Sequence, residues 1–90
     1  MTDTTHKKAL ITGASAGLGL EISRALAQEG YDVALTSRDA GKLESVLSHD
    51  DFANVKTVAI ELELASEDSV NRAIKTATDE LGGIDVLVNN

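Results

Sequence analysis

The segment from Lys8 to Glu29, KALITGASAGLGLEISRALAQE, constrains this ninety-residue chain more than any other. Ala9, Leu10 and Ile11 form a short apolar run that suits a strand buried on both faces. Glycines follow at Gly13, Gly17 and Gly19. From Leu18 the spacing is helical, which predicts Ile22, Ala25 and Leu26 on one face and Glu21, Arg24 and Gln28 elsewhere, with Gly30 ending the helix. A glycine at the strand end reaches backbone angles closed to other residues, and glycines over the first helical turn let a ligand or a neighbouring strand approach the backbone. The unpaired N–H groups of that turn, with the positive end of the helix dipole, would face the loop, and an anion is their natural occupant. By itself the segment also fits a tight turn leading into a closely packed helix.

The same residues satisfy the Gly-x-Ser-x-Gly elbow of serine hydrolases, as Gly13-Ala14-Ser15-Ala16-Gly17. Order argues against it. Such an elbow needs strands and an oxyanion loop before the serine, then an acid and a histidine after it, whereas Ser15 lies close to the start of the sequence and His49 is the only later histidine. Ser15 therefore reads as a phosphate-loop hydroxyl.

Tyr31 to Ser37 alternates toward Val33 and Leu35 and predicts a second strand, with Arg38 at its tip. Asp39 can cap a helix whose inward face is Leu43, Val46 and Leu47, and His49-Asp50-Asp51 breaks the pattern. Val55 to Leu62 gives a third strand. Ser66 caps a long helix with Glu67 and Asp68 in its first turn and a face of Val70, Ala73, Ile74, Ala77 and Leu81, stopped by Gly82-Gly83. Ile84 to Val88 is a fourth strand, followed by Asn89-Asn90. Strand and helix alternation predicts an α/β doubly wound parallel sheet of Rossmann type. Right-handed crossovers put the first two helices on one face and the third on the other, so the strand order is 3-2-1-4. A cleft then opens at the carboxyl ends of strands 1 and 4, where the order reverses. Residues 1–90 are expected to be the N-terminal portion of one such domain. Made alone, they should self-associate, because strand 4 is apolar on both faces and needs a further strand at its edge.

Fifteen acidic against eight basic residues give a net charge of −7, which argues against nucleic acid or an anionic membrane as partner. Any anion must be bound locally. The sequence has no cysteine, which points to a cytoplasmic protein without disulfides or thiolate metal sites. Met1 to His6 is polar, His6 to Lys8 read as a solvated lead-in, and His6 and His49 lack partner ligands for a metal.

TGASAGLG, Thr12 to Gly19, resembles the Thr-Gly-x-x-x-Gly-x-Gly motif of the short-chain dehydrogenase/reductase family, and the ending IDVLVNN resembles that family's strand 4 with the first half of its Asn-Asn-Ala-Gly motif. The resemblance covers essentially the whole chain. It implies that Gly13, Ser15, Ala16, Gly17, Leu18 and Gly19 line the phosphates and nicotinamide ribose of a dinucleotide, and that Asn90 and Asn89 lie along its adenosine ribose side. Glu63-Leu64 stands where the family usually has an aspartate before an apolar residue near the adenine; Glu63 is one methylene longer, and with Glu61 it also fits a solvent-facing pair on a strand end. At the tip of strand 2 an acid accepts from the ribose 2′-OH of NAD, whereas a cation pairs with the 2′-phosphate of NADP. Ser37-Arg38 favours NADP over NAD, since the Arg38 fork matches a phosphate and Ser37 adds a hydroxyl donor. Ala16 occupies the second basic position of many NADP-preferring members, so the preference rests on one cation, and Arg38 as a merely solvated charge is the competing reading. A methyltransferase would want an acid at that tip.

Catalysis in the resembled family uses a Tyr-x-x-x-Lys pair with a serine, and none of these groups is matched here: the single tyrosine, Tyr31, is followed four residues later by Leu35. The resemblance thus implies the cofactor-binding part, inactive when made alone, of an oxidoreductase of carbonyl or hydroxyl substrates, for example in 3-oxoacyl or other ketone reduction, that is a homo-oligomer at full length. The alternative is a self-contained, non-catalytic nucleotide-binding or interaction module. Extending the reading frame discriminates them: Ala-Gly, then a serine and Tyr-x-x-x-Lys, supports the enzyme, and a stop codon after Asn90 supports the module.

Overall fold

Strand and helix alternate in the order the periodicity predicts: β1 (Lys8–Ile11), α1 (Gly17–Gln28), β2 (Asp32–Ser37), α2 (Ala40–Leu47), a 3₁₀ turn at Asp50–Phe52, β3 (Thr57–Glu61), α3 (Glu67–Leu81) and β4 (Val86–Val88). The computed structural model describes residues 6–90; the part of the polar lead-in at Met1 to Thr5 lies outside them. The four strands form one parallel sheet in the order β3-β2-β1-β4. Among the described residues no helix is long and apolar enough to cross a membrane.

Alternate side chains of the sheet feed two cores, as they must when both faces of a parallel sheet are covered. Ala9, Ile11, Val33 and Leu35 pack with Leu43 and Phe52 on the α1 and α2 side, whereas Leu10, Ala34, Ile60 and Leu62 pack with Ala73, Ala77 and Leu81 of α3 on the other. A fully buried leucine such as Leu43 contributes about 1.5–3 kcal/mol through the surface it removes from water.

Three sequence expectations are corrected. The buried line of α1 is Gly19, Ser23 and Ala27, with Ile22 and Leu26 half-buried and Ala25 exposed. Small residues let α1 lie close on the sheet, and the buried Ser23 hydroxyl donates to the Gly19 carbonyl (2.8 Å) within its own helix. On α3, Ile74 is exposed rather than inward. Strands 3 and 4 are shorter than the apolar runs suggest, because a ladder extends only as far as its partner: β3 pairs from Thr57 opposite Val33 to Glu61 opposite Ser37, and β4 pairs only with Ala9 to Ile11. The described residues place no strand on the outer side of β4, and Leu87 is largely exposed there.

From His6 onward the lead-in is tied down rather than merely solvated. Lys8 belongs to β1, and His6 Nδ1 lies 2.8 Å from the Asp32 carboxylate, which also accepts from the Lys56 N–H (2.9 Å). Burial pushes the Asp32 carboxyl up, but these two hydrogen bonds and the charges of His6 and Lys8 outweigh it and hold it below the ordinary range. Asp51 is likewise held low, by hydrogen bonds from Gln28 and Arg24 that join α1 to the 3₁₀ turn. A carboxylate depressed in the folded state adds stability above its unfolded pKa, about 3.9, and loses it as pH falls through the folded value. Thermal melts of the full-length protein should therefore show a drop in Tm between pH 5 and pH 3 that is smaller in the Asp32→Asn, Asp51→Asn double variant; equal drops would remove both residues from the acid response.

Candidate functional site

The end of β1 is held on both sides. Thr12 N donates to the Val88 carbonyl (3.0 Å), Ala14 N donates to the Thr36 carbonyl (2.9 Å), and between them Gly13 turns the chain at φ 61°. The turn thus sits where β1 meets β4, the point at which the strand order reverses and ligands of open α/β sheets collect. It delivers the chain to α1 through Ala16, an extended residue whose side chain caps nothing, and no acid stands in the first turn of α1. The other two helices differ. Asp39 accepts from Gly41 N on α2 and Ser66 accepts from Ser69 N on α3. Among the described α-helices α1 alone lacks a side-chain cap, so its first N–H groups and its dipole are left for something outside the helix.

The glycines divide their tasks. Gly17 adopts φ 60°, yet a side chain there would meet nothing within 4 Å, so what it leaves clear is open space over the loop. The sequence reading in which glycine here lets a neighbouring strand approach the backbone does not hold at Gly17. Close backbone approach belongs to Gly19: a Cβ there would lie 2.2 Å from the Gly13 carbonyl oxygen and 2.7 Å from Asn90 Nδ2.

Beside the turn lies a cleft of about 400 Å³ lined by Thr12, Gly13, Ser15, Thr36, Ser37, Arg38, Leu62, Glu63 and Leu64. Ligand sites run from roughly 300 to 1,000 Å³. Six of the residues singled out in the sequence meet there: Gly13, Ser15, Ser37, Arg38, Glu63 and Leu64. Ala16, Gly17, Leu18 and Gly19 instead form the adjoining end of α1, with Leu18 largely exposed. Asn90 lies against the glycine turn, its N–H donating to Thr12 Oγ1 (2.9 Å) and its Nδ2 to the Gly13 carbonyl (3.3 Å). Asn89 faces an apolar hollow on the α3 side, with Leu64, Ile74 and Leu87. Neither asparagine lines the Arg38 cleft.

Within the cleft, Ser37 Oγ accepts from Asp39 N (3.2 Å) and donates to Ser15 Oγ (3.4 Å), so two hydroxyls from different loops stand together. Arg38 is exposed and, among the described residues, has no ion pair. Glu63 is partly used by its own turn: Oε1 accepts from Ala65 N (3.1 Å), and its backbone N–H donates to Ser69 Oγ (2.9 Å). Leu62, between Glu61 and Glu63, is buried, so both carboxylates are on the exposed side of the strand end. Sequence reasoning missed Thr36, whose buried hydroxyl donates to the Ile11 carbonyl (3.0 Å), and the tie from Thr12 to Asn90. A threonine directly before Gly13 was the available signal for the second. Tyr31 lies at the other end of β2, beside His6, Leu26 and Gly30; six residues at about 3.3 Å each separate it from the cleft by roughly 20 Å.

A four-stranded parallel sheet with a glycine loop and an uncapped helix at its reversal point defines a Rossmann-type domain. The chain belongs to the short chain dehydrogenase family, whose model matches residues 7–90. Its relatives include the 3-oxoacyl-(acyl-carrier-protein) reductase FabG of Staphylococcus epidermidis, 42% identical over 88 residues, a match covering 94% of this chain and 35% of that protein. Similar solved structures include an alcohol dehydrogenase of the archaeon Thermococcus sibiricus complexed with 5-hydroxy-NADP (TM-score 0.83, 36% identity, 91% of this chain and 35% of that one). Another is the L-sorbose reductase of Gluconobacter frateurii complexed with NADPH and L-sorbose (TM-score 0.87, 31% identity, 96% and 33%). The chain spans about a third of the length of these proteins.

Proposed function

We propose that this chain forms the adenosine and phosphate end of an NADP site in a short-chain oxidoreductase of carbonyl or hydroxyl substrates. One observation carries the reading: the unpaired Arg38 and Ser15 line one cleft, and Ser15 leads directly into the uncapped N-terminus of α1, giving two separate places for negative charge on one ligand. A nicotinamide dinucleotide would supply hydride transfer when bound. The first-turn N–H groups of α1, reached over Gly13 and Gly17, would hold its pyrophosphate, and Leu18 would lie toward the nicotinamide ribose. Arg38, Ser37 and Ser15 would hold a 2′-phosphate. Leu64 and the stem of Glu63 would pack beside the adenine, while Asn90 acts through the turn by holding Gly13.

Two of the similar structures carry NADP or an NADP derivative, which supports this choice over NAD. Proton transfer needs groups that Tyr31 cannot supply from the far end of β2, so we place them in chain beyond these ninety residues. The cysteine-free, acidic composition fits a cytoplasmic protein. Nicotinamide absorbance assays of the full-length protein with a panel of 3-oxoacyl thioesters, ketones and sugars test the activity. Oxidation of NADPH by at least one carbonyl class, at higher kcat/KM than with NADH, is expected; tight nucleotide binding without turnover on any of them would favour a non-catalytic module.

A further inference from the structure

We propose that Asp39, which does not line the cleft, is a positioning residue for NADP selectivity: by capping α2 it fixes the Ser37-Arg38 peptide and turns the Ser37 hydroxyl toward the ligand. The inference rests on the NADP reading above. The Ser37 carbonyl accepts from Leu62 N (2.9 Å), which locks the end of β2 to the strand beside it. On the other side Asp39 is locked to α2: its Oδ1 accepts from Gly41 N (3.0 Å) and its carbonyl from Lys42 N (3.2 Å). Arg38 is the single residue between these anchors, so its Cα is held at the cleft rim while its side chain stays free. The cap also engages the carboxylate adjacent to Arg38 in sequence, which leaves the guanidinium unpaired.

The second consequence concerns the Ser37 hydroxyl. A serine hydroxyl has one proton and two acceptor lone pairs. Because Asp39 N donates to Ser37 Oγ, that oxygen is engaged from the α2 side and its hydroxyl is left to turn into the cleft, where Ser15 Oγ stands 3.4 Å away. An anion there meets two neighbouring hydroxyls that can donate to it. If the cap is lost, residue 39 is released, and with it both the Arg38 anchor and the N–H that orients Ser37.

The test is a set of NADPH and NADH titrations on full-length protein carrying Asp39→Ala, Asp39→Gly, Asp39→Asn, Asp39→Ser or Arg38→Asp, with circular dichroism melts confirming that each variant is folded at the titration temperature. Asn and Ser keep a capping acceptor; Ala and Gly remove it, and Gly does so at little cost to helix stability. Ala and Gly should weaken NADPH by about three- to tenfold, the scale of a lost cap, and leave NADH unchanged, while Asn and Ser keep the wild-type ratio of the two affinities. An unchanged ratio in Ala and Gly, an equal loss for both cofactors, or a ratio that Asn fails to keep would overturn the positioning role. Arg38→Asp separates the two levels: if it moves the ratio and Asp39→Ala does not, this inference alone fails, and if it does not move the ratio, the NADP reading fails.

Discussion

Replacing Gly19 by alanine should abolish useful dinucleotide binding and also weaken the fold. A Cβ at this position would sit 2.2 Å from the Gly13 carbonyl oxygen, 2.9 Å from its carbon and 2.7 Å from Asn90 Nδ2, all well inside contact distance. The nearest obstacle is backbone at a turn pinned to β2 and β4, so it cannot swing aside as a flexible side chain would. The start of α1 must lift away instead. Overpacking of this kind costs roughly 1–3 kcal/mol of stability, and a shift of about 1 Å at an enzyme site is worth up to a hundredfold in function. Gly17→Val should act by another route: its side chain would enter the open space where, in this account, a pyrophosphate would lie, and the left-handed backbone costs at least about 1–2 kcal/mol. Calorimetric titration beside thermal melts checks the pair. Both variants should lose Tm as well as affinity, Gly19→Ala through the clash and Gly17→Val through backbone strain; a Gly19→Ala protein with native affinity would contradict the packing account.

Topology was legible because it follows from alternation and handedness: once four apolar runs are separated by three helical stretches, right-handed crossovers leave few arrangements, and the order 3-2-1-4 agrees with the structure. The caps at Asp39 and Ser66 were legible for a similar reason, since a short polar side chain ahead of a helical pattern has one favourable use. The buried line of α1 was not. Periodicity weighs hydrophobicity, but Gly19, Ser23 and Ala27 face the sheet because they are small, and their closeness depends on side chains that are missing. Strand ends were misread because each ladder stops with its partner.

In the candidate site, single loops could be read and meetings between loops could not. The glycine turn and Ser37-Arg38 each read as candidate anion sites from local order alone, and both stand at the same cleft. That Ser15 and Ser37 stand 3.4 Å apart, or that Asn90 braces Gly13 instead of lining the Arg38 cleft, depends on contacts between residues 22 and 77 apart in sequence. Asp32 shows the same limit. As a polar residue beginning an apolar strand it looks like an exposed edge, but His6 and Lys56 come from two other segments to satisfy it.

Arg38→Asp should exchange one cofactor for the other. Arg38 is unpaired at the rim of the cleft, so in this account its guanidinium is free to take a 2′-phosphate, with Ser37 and Ser15 as neighbouring hydroxyl donors. Inverting the charge removes a charge-assisted contact of roughly 1.5–3 kcal/mol and adds repulsion against the phosphate dianion. NADPH should therefore weaken by at least about tenfold, since 1.4 kcal/mol is one factor of ten. NADH has no 2′-phosphate to repel, and a carboxylate at this position can accept from its ribose hydroxyls. Its affinity should hold or rise. The most direct measurement is the ratio of NADPH to NADH dissociation constants, taken by fluorescence titration of wild-type and Arg38→Asp full-length protein in one buffer of fixed, low salt. The account predicts a ratio favouring NADPH in the wild type and reversed in the variant; equal weakening of both cofactors, or a wild-type protein that prefers NADH, would contradict it.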